Sequence, residues 1–233
     1  MRIALMVIRL ILKVPYYFFL IWRCGVSDKI SYEEAFETIK KVTKKANHAG
    51  RVTIEAFGLE NIPKEDGFIF FPNHQGLFDV LVFLDSCPRP FSFVAKKEAG
   101  NLILLKQVIK ALGAYPMDRD NIRQSMKVIN AVAEDVNFLI FPEGTRSKLG
   151  NKMLEFKGGS FKSATKAKCP IVPCALIDSF KPFDERNIHP VKVKIIYMEP
   201  LYYEEYKGMK TVEIAEEVKT RIEKTIEKYS CES

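Results

Sequence analysis

A histidine and an aspartate five residues apart form the first pair in this sequence that could do chemistry. His74 follows an apolar run with the character of a buried strand, and Asp79 comes five positions later. A histidine side chain takes up a proton near neutral pH, and a neighbouring carboxylate fixes its tautomer and stabilises the imidazolium that forms. The pair therefore predicts a general base with an orienting carboxylate. The spacing alone also fits a histidine that caps a helix beside an aspartate that faces solvent.

The spacing of this pair constrains its geometry. On a regular helix, an offset of five residues turns two side chains roughly 140° apart. His74 can therefore meet Asp79 only if it stands in an irregular turn before the helix. Gly76 lies between them and would ease such a turn, because glycine adopts backbone conformations that other residues avoid.

A second segment carries residues suited to binding a phosphate. Apolar residues up to Phe141 lead into a loop that contains Glu143, Gly144, Thr145 and Arg146. A guanidinium matches a phosphate with two parallel hydrogen bonds, and hydroxyls and loop amides can complete the cradle. The segment therefore predicts a phosphate site, with a salt bridge between Glu143 and Arg146 as the alternative interpretation.

Short β-rich runs alternate with helical stretches around both segments. This alternation predicts an α/β fold with a mostly parallel, mixed sheet of seven strands flanked by helices. The predicted strands cover residues 52–57, 67–71, 91–95, 114–117, 138–141, 171–177 and 191–197. The predicted helices of this domain cover residues 76–84, 97–112, 122–133, 160–166 and 211–228.

Polar residues follow several predicted strands at the point where each strand ends. In open α/β sheets, ligands bind where strand ends, loops and helix N-termini meet. His74 follows the second predicted strand, and the loop with Arg146 follows the fifth. Basic residues follow the third and fourth strands: Lys96, Lys97 and Arg119. We therefore expect four strand ends to line one cleft.

The N-terminal residues predict a contact with a membrane. Residues 3–22 are almost wholly apolar and long enough for one bilayer span, but Arg9, Lys13 and Pro15 interrupt them. Arg2, Arg9 and Lys13 are spaced by seven and four residues, so on one helix they would share a face. This pattern predicts a helix that lies in the membrane interface, with a single span or packing into the core as alternatives.

A second N-terminal helix is predicted at residues 31–46. Ser31 and Glu34 form a capping box at its start. Its second half carries lysines that would lie near an anionic leaflet: Lys40, Lys41, Lys44 and Lys45. We therefore expect residues 1–50 to form an amphipathic two-helix membrane-docking motif and residues 51–233 to form the catalytic domain.

Charge and cysteine content restrict the partners and the compartment. The net charge of +7 is concentrated in residues 1–51, which hold ten basic and four acidic side chains. A nucleic-acid partner is not expected, since it would require the positive charge on the folded domain. The five cysteines form no C-x-x-C pair, which argues against a disulfide framework or a zinc site and indicates a reducing compartment. We expect the cytoplasmic face of the cell membrane.

Several common catalytic and nucleotide-binding motifs do not occur in the chain. A serine hydrolase on an α/β sheet would carry G-x-S-x-G around its nucleophile, and the chain has no such run. Neither G-x-x-x-x-G-K-[ST] nor G-x-G-x-x-G is present. Hydrolysis through a serine nucleophile and nucleotide chemistry are therefore not expected.

Four blocks of the sequence form an ordered set. They are N-H-Q-x-x-x-D at 73–79, a strand that ends in Asp-Arg at 113–119, F-P-E-G-T-R-S at 141–147, and F-K-G-G at 156–159 followed by P-I-V-P at 170–173. These blocks resemble, in order, those of the glycerolipid acyltransferases, and most closely those of the bacterial 1-acyl-glycerol-3-phosphate acyltransferases. The resemblance covers roughly residues 52–177, and F-P-E-G-T-R-S is its most specific block.

The resemblance implies acyl transfer from an acyl thioester, on coenzyme A or acyl carrier protein, to the free hydroxyl of lysophosphatidic acid at a membrane surface. His74 would deprotonate that hydroxyl and Asp79 would orient His74, without a metal, a cofactor or an acyl-enzyme. Glu143 and Gly144 would shape the acceptor pocket. Arg146 would hold the acceptor phosphate with help from other residues: Lys96 or Lys97, Arg119 and Thr145.

One position departs from the family pattern and leaves the acceptor open. Family members commonly carry a serine where this chain has Gly76, which affects the expected acceptor more than the expected reaction. Another lysolipid or glycerol 3-phosphate is therefore an alternative acceptor. A lipid-binding membrane protein without turnover, on the same scaffold, is the alternative of another class. The oxyanion donor is expected to be a backbone amide near Gly76 or Gly144.

Overall fold

Seven strands form one mixed sheet in the computed structural model, which describes residues 1–96, 103–117, 130–132 and 134–231. The strands are β1 (Val52–Phe57), β2 (Ile69–Pro72), β3 (Ser92–Lys96), β4 (Tyr115–Met117), β5 (Phe138–Leu139), β6 (Ile171–Ile177) and β7 (Val191–Tyr197). Their order across the sheet is β1-β7-β6-β2-β5-β3-β4. Strands β2 to β6 run in one direction, whereas β7 is antiparallel to β6 and parallel to β1. The expected α/β fold with a mixed sheet is confirmed.

Helices precede the sheet, connect its strands and follow it. They are α1 (Arg2–Arg9), α2 (Val14–Val26), α3 (Tyr32–Ala49), α4 (Asp79–Ser86), α5 (Ile103–Ala111), α6 (Lys162–Ala167), α7 (Lys181–Asp184), α8 (Tyr203–Tyr206) and α9 (Thr211–Ser230). Residues 130–132 are also helical, and the rest of the helix predicted at 122–133 lies outside the described residues. Of the capping box predicted for α3, the Ser31 half is confirmed, because the Ser31 hydroxyl accepts a hydrogen bond from the Glu34 N–H at 3.2 Å.

The side chains of β2 divide the core between the two faces of the sheet. Phe70 lies in a buried cluster with Phe36 of α3 and Phe83 of α4. Successive side chains of a strand point to opposite faces, so Ile69 and Phe71 lie in the other cluster. That cluster includes the apolar face of α9, formed by Ile214, Val218 and Ile222. Burial on both faces fixes β2, and hence the loop that follows it, in the interior of the sheet.

The observed element bounds agree with the predicted ones most closely at the long strands. The predicted bounds of β1, β6 and β7 are confirmed. The helix predicted at 76–84 begins later, at Asp79, because the residues before it form the irregular turn that contains His74. The division of the chain at residues 50 and 51 stays a prediction.

The N-terminal apolar stretch folds into two helices with a sharp bend between them. α1 ends at Arg9, α2 begins at Val14, and the two helices are bent by 102°. Pro15 lies in the first turn of α2, where a proline is tolerated because that N–H has no acceptor within the helix. The prediction that Arg2, Arg9 and Lys13 share one helical face is wrong, since Lys13 lies beyond the end of α1. Among the described residues no single helix has the length and apolar character to cross a membrane, and only α1 and α2 taken together meet both criteria.

The arginines of α1 point toward the rest of the protein. Arg2 is buried and donates hydrogen bonds to the carbonyl oxygens of Gly50 at 2.7 Å and Pro182 at 3.1 Å. Arg9 donates to the carbonyl oxygen of Ala49 at 3.0 Å. The polar side of α1 therefore contacts the domain, and large apolar side chains are left exposed: Ile3, Val7 and Ile8.

Candidate active site

Two loops meet where adjacent parallel strands end. Residues 73–78 follow β2, and residues 140–147 follow β5, its neighbour in the sheet. The Ser147 N–H donates a hydrogen bond to the carbonyl oxygen of His74 at 2.8 Å. The predicted base and the predicted phosphate loop are therefore joined directly through their backbones.

The predicted base and carboxylate are in contact. Nδ1 of His74 lies 2.7 Å from Oδ2 of Asp79, which is fully buried and is the first residue of α4. The N–H groups of Gln75 at 2.7 Å and Gly76 at 3.1 Å donate to the same oxygen, and the Ser179 hydroxyl donates to Oδ1 at 2.6 Å. A carboxylate only accepts hydrogen bonds. Nδ1 of His74 therefore carries the proton, and Nε2 is left as the proton acceptor.

The ring of His74 is held on its face as well as at Nδ1. It lies against the ring of Phe141, with the two centroids 4.0 Å apart. The side chain is 20% exposed, so the histidine is accessible from one side only. Contact with Phe141 and with Asp79 fixes both the plane of the ring and the direction of Nε2, which a general base requires.

Glu143 joins the two loops and does not pair with Arg146. One of its carboxylate oxygens accepts the His74 N–H at 2.7 Å, and the other accepts the Leu154 N–H at 3.0 Å. Burial raises the pKa of the Glu143 carboxyl, while these two hydrogen bonds act in the opposite direction. No ion pair links Glu143 with Arg146, although both lie in the described part of the chain, so the salt-bridge interpretation is wrong.

The rest of the loop after β5 contains a glycine with a constrained backbone and an arginine that can bind an anion. Gly144 has a φ of +70°, and Nζ of Lys157 lies 3.0 Å from where a β-carbon would stand, so a side chain there would be strained and crowded. Thr145 is exposed and Arg146 is half-buried. The Arg146 guanidinium forms no hydrogen bond or ion pair with any described residue, which leaves it available to an anion.

The other predicted phosphate ligands are only partly described. Strands β2, β3, β4 and β5 run parallel, so their carboxyl ends share one edge of the sheet, as predicted. Lys96 is the last residue of β3 and lies at this edge. Lys97 and Arg119 lie outside the described residues. The roles of these three basic residues stay predictions.

The oxyanion donor was predicted near Gly76 or Gly144, and the amides of these two glycines already have acceptors. The Gly76 N–H donates to Asp79, and the Gly144 N–H donates to the carbonyl oxygen of Phe141 at 3.1 Å. These two N–H groups are therefore engaged, and an oxyanion donor near them stays a prediction. Within the described ranges, no group of three or more His, Cys, Asp or Glu side chains is placed to hold a metal ion.

A buried polar network behind the pair was missed by the sequence analysis. Asn73 exchanges two hydrogen bonds with the backbone of Leu176, at 3.0 and 2.7 Å. Gln75 donates to the side chain of Asn151 at 2.8 Å and accepts the Ser179 N–H at 2.9 Å. These contacts join the loop after β2 to the end of β6. A signal was present, because polar side chains follow β6 just as they follow β2 and β5.

Comparison with known proteins gives a consistent picture. Residues 53–177 match the family model described as Acyltransferase. The chain is 31% identical over 147 residues to a 1-acyl-sn-glycerol-3-phosphate acyltransferase of Helicobacter pylori, over 57% of this chain and 62% of that protein. It is 33% identical over 132 residues to the protein of that name in Borreliella burgdorferi, over 55% of this chain and 52% of that protein. The matched part thus spans little more than half the length of these relatives.

A solved structure resembles the whole described fold. The crystal structure of the 1-acyl-sn-glycerophosphate (LPA) acyltransferase PlsC from Thermotoga maritima superposes with a TM-score of 0.81. The superposition covers 99% of this chain and 98% of that one, at 24% sequence identity, and so shows a shared fold. The family match covers more than half of the chain and includes His74, Asp79 and the loop with Arg146. This chain belongs to the acyltransferase family.

Proposed function

We propose that this chain transfers a fatty acyl group from an acyl thioester to the free hydroxyl of 1-acyl-glycerol-3-phosphate. The donor carries its acyl group on coenzyme A or acyl carrier protein. Nε2 of His74 takes the hydroxyl proton while the hydroxyl oxygen attacks the thioester carbonyl. The tetrahedral intermediate then expels the thiolate, which receives the proton from the imidazolium. The products are a diacylated glycerol phosphate and the free thiol of the carrier.

The observation that carries this proposal is the contact between Nδ1 of His74 and the buried Asp79 carboxylate, 2.7 Å apart. This contact leaves Nε2 as a base and provides a fixed negative charge that stabilises the imidazolium. A protein that only binds lipid has no use for a positioned base. The pair also completes the reaction without an acyl-enzyme, and the proposed chemistry needs no metal or cofactor.

Arg146 supports a phosphate-bearing acceptor. Its loop is joined to the backbone of His74 through Ser147 and Glu143, so an anion bound there would lie beside the base. A guanidinium binds phosphate with two charge-assisted hydrogen bonds, and here it has no competing partner among the described residues. We assign the supporting roles to Thr145 and to the basic residues Lys96, Lys97 and Arg119.

The exposed side of α1 and α2 supports docking on a membrane surface. Its side chains are large and apolar or aromatic, and Leu12 is 93% exposed. Exposed apolar side chains in such number mark interaction sites, and aromatic rings suit the headgroup boundary. The members of this patch are Ile8, Ile11, Leu12, Phe19 and Trp22.

The lysines of α3 support contact with anionic headgroups, with one correction. Lys40 donates a hydrogen bond to the carbonyl oxygen of Cys87 at 2.7 Å and so turns toward the protein. Lys41, Lys44 and Lys45 remain exposed. Each could add about 1 kcal/mol of attraction near an anionic leaflet. We place this surface at the cytoplasmic face, a reducing compartment that suits the buried free thiols.

Acyl transfer by the purified chain in phospholipid vesicles tests the proposal. The acceptors are lysophosphatidic acid, glycerol 3-phosphate and a lysolipid without a terminal phosphate, each offered with acyl-CoA and with acyl carrier protein donors. We expect phosphatidic acid, identified by mass, as the main product. Preference for another acceptor would reassign the substrate, and binding to vesicles without any product would favour a lipid-binding protein without turnover.

A further inference from the structure

Ser179 lies behind the catalytic pair, two residues after the end of β6, and is fully buried. Its hydroxyl oxygen lies 2.6 Å from Oδ1 of Asp79 and 2.9 Å from Oε1 of Gln75, and its single proton goes to the shorter, charge-assisted contact with Asp79. Its N–H donates to Oε1 of Gln75 at 2.9 Å. Asp178 before it has a φ of +63°, which non-glycine residues rarely adopt. Two hydrogen bonds with Asn151, at 2.8 and 3.0 Å, hold this turn. The turn that positions the Ser179 hydroxyl is therefore itself held in place by hydrogen bonds.

Ser179 differs from the other groups that donate to Asp79. His74, Gln75 and Gly76 belong to the same loop as the carboxylate and lie within five residues of it. All three leave from the end of β2. Ser179 is 100 residues away in sequence and follows β6, a different central strand of the sheet. Its bond alone among these four links the carboxylate directly to that second strand.

The glycine at position 76 lies close to the segment that carries Ser179. A β-carbon on Gly76 would stand 3.1 Å from Cα of Phe180 and 3.5 Å from the carbonyl oxygen of Ser179. The first distance is shorter than an ordinary van der Waals contact and involves backbone, which cannot turn aside as a side chain can. A side chain at position 76 would therefore require a shift of a few tenths of an ångström in the segment that carries the Ser179 hydroxyl.

We propose that Ser179 is a positioning residue of the acyl-transfer site, an inference that rests on the proposed function. Its hydroxyl holds the Asp79 carboxylate so that Oδ2 stays on Nδ1 of His74. Hydrogen bonds to a carboxylate are stronger than those between neutral groups, and they are directional. Because Ser179 is fully buried and touches the carboxylate rather than the substrate, its loss affects the reaction step more than substrate binding.

Ser179→Ala is compared with the matched control Ser92→Ala. Ser92 is also buried, and its hydroxyl donates to the carbonyl oxygen of Gly113 at 2.7 Å, at the opposite end of β3 from the site. Both variants lose a buried hydroxyl hydrogen bond, and Ser179→Ala should lower Tm somewhat more than Ser92→Ala because its acceptor is a carboxylate. We expect only Ser179→Ala to lower kcat, by about tenfold, with KM unchanged within about twofold. Ser179→Cys keeps a weak donor of similar size and should fall between wild type and Ser179→Ala.

The pH titration of the His74 ring by NMR gives a readout that does not depend on acyl transfer. Variants His48→Ala and His189→Ala assign the remaining ring signals. We expect the midpoint for His74 to move in Ser179→Ala and to stay in place in Ser92→Ala. The positioning role would be overturned if the wild type is active and Ser179→Ala matches Ser92→Ala both in kcat and in the His74 midpoint. If the wild type shows no acyl transfer but Ser179→Ala still moves the His74 midpoint, the contact between Ser179 and Asp79 stands and the proposed function is rejected.

Discussion

Nδ1 of His74 reaches Oδ2 of Asp79 at 2.7 Å because α4 begins at the aspartate and not before it. Five residues along a regular helix would point the two side chains roughly 140° apart. The histidine instead lies in the irregular turn, and the carboxylate at the first position of the helix accepts from the turn's own N–H groups. The hydrogen bonds that shape the turn are therefore the same ones that orient the catalytic carboxylate.

Asp79→Asn should remove the orientation of the base. An amide side chain presents an NH₂ group where the carboxylate accepts from four donors, so His74 loses its acceptor at Nδ1. We expect kcat to fall by about 10³–10⁴-fold, as for other histidine bases held in the wrong tautomer. Steady-state kinetics on vesicles measures the loss, and a variant within tenfold of wild type would refute the role of Asp79.

His74→Ala should abolish transfer and leave membrane binding intact. General-base help is worth about 10²–10⁴-fold, and nothing else in the described loops offers a neutral proton acceptor in contact with a carboxylate. His48→Ala is the matched control, because His48 is exposed on α3. Vesicle sedimentation and product formation are measured on both variants. Equal activity of the two would place the base elsewhere.

Arg146→Ala should weaken the binding of acceptors that carry a phosphate. The guanidinium has no described partner, so its removal leaves no orphaned carboxylate and should change Tm little. We expect KM for lysophosphatidic acid to rise by about 10–100-fold, the effect of losing a charge-assisted pair of about 1.5–3 kcal/mol. Arg186→Ala, at an exposed arginine, is the control. An unchanged KM would show that residues other than Arg146 bind the phosphate.

The sequence could predict the pair and the sheet because both depend on local patterns. Apolar runs such as Ile171–Ile177 are buried on both faces, and their length and composition fix a strand without knowledge of its neighbours. The offset between His74 and Asp79 likewise required a turn, whatever surrounded it. These inferences used residues close together in the chain.

Contacts between distant residues could not be predicted in the same way. The bond from Ser179 to Asp79 spans 100 residues and depends on which strand ends lie side by side. The positions of the arginines of α1 depend on where that helix bends and on which carbonyl groups it meets, such as that of Pro182. Glu143 was expected beside a substrate, but its two buried oxygens accept backbone N–H groups of His74 and Leu154.

Asp85→Asn should stabilise the protein at neutral pH. The Asn47 amide donates to Asp85 at 2.8 Å, while the buried Oδ1 of Asn47 has no hydrogen-bond partner among the described residues. Burial raises the pKa of the Asp85 carboxyl, against the effects of Asn47, Lys44 and Lys40. An asparagine removes the buried charge and can donate to Oδ1 of Asn47. We expect Tm to rise by roughly 2–4 °C, corresponding to about 1 kcal/mol.

The sign of the pH dependence provides the check on Asp85→Asn. The folded state binds the proton of the Asp85 carboxyl more tightly than the unfolded state does. The wild type therefore gains stability as the pH falls through the raised pKa of Asp85. The variant has no such group. Its advantage in Tm should therefore be largest near neutral pH and shrink toward pH ~4, near the ordinary carboxyl value. The same change at exposed Asp28 serves as the control, and an advantage that did not vary with pH would contradict the explanation.

Ile8→Glu combined with Leu12→Glu should release the protein from membranes without unfolding it. Both side chains are exposed, at 66% and 93%, so the change removes no core contact. A charge in the apolar part of a bilayer costs about 2.5–3.5 kcal/mol on insertion scales, so two would weaken vesicle binding by at least tenfold. Val212→Glu on α9 is the control, because that valine is 69% exposed on the C-terminal helix. If α1 and the residues that connect it to α2 dock the enzyme on lipid, only the double variant should fail to sediment with vesicles. Its kcat for an acceptor dispersed in detergent should stay near that of the wild type. Retention of the double variant on vesicles would show that membrane binding depends on another surface, with the exposed lysines of α3 as the next site to change.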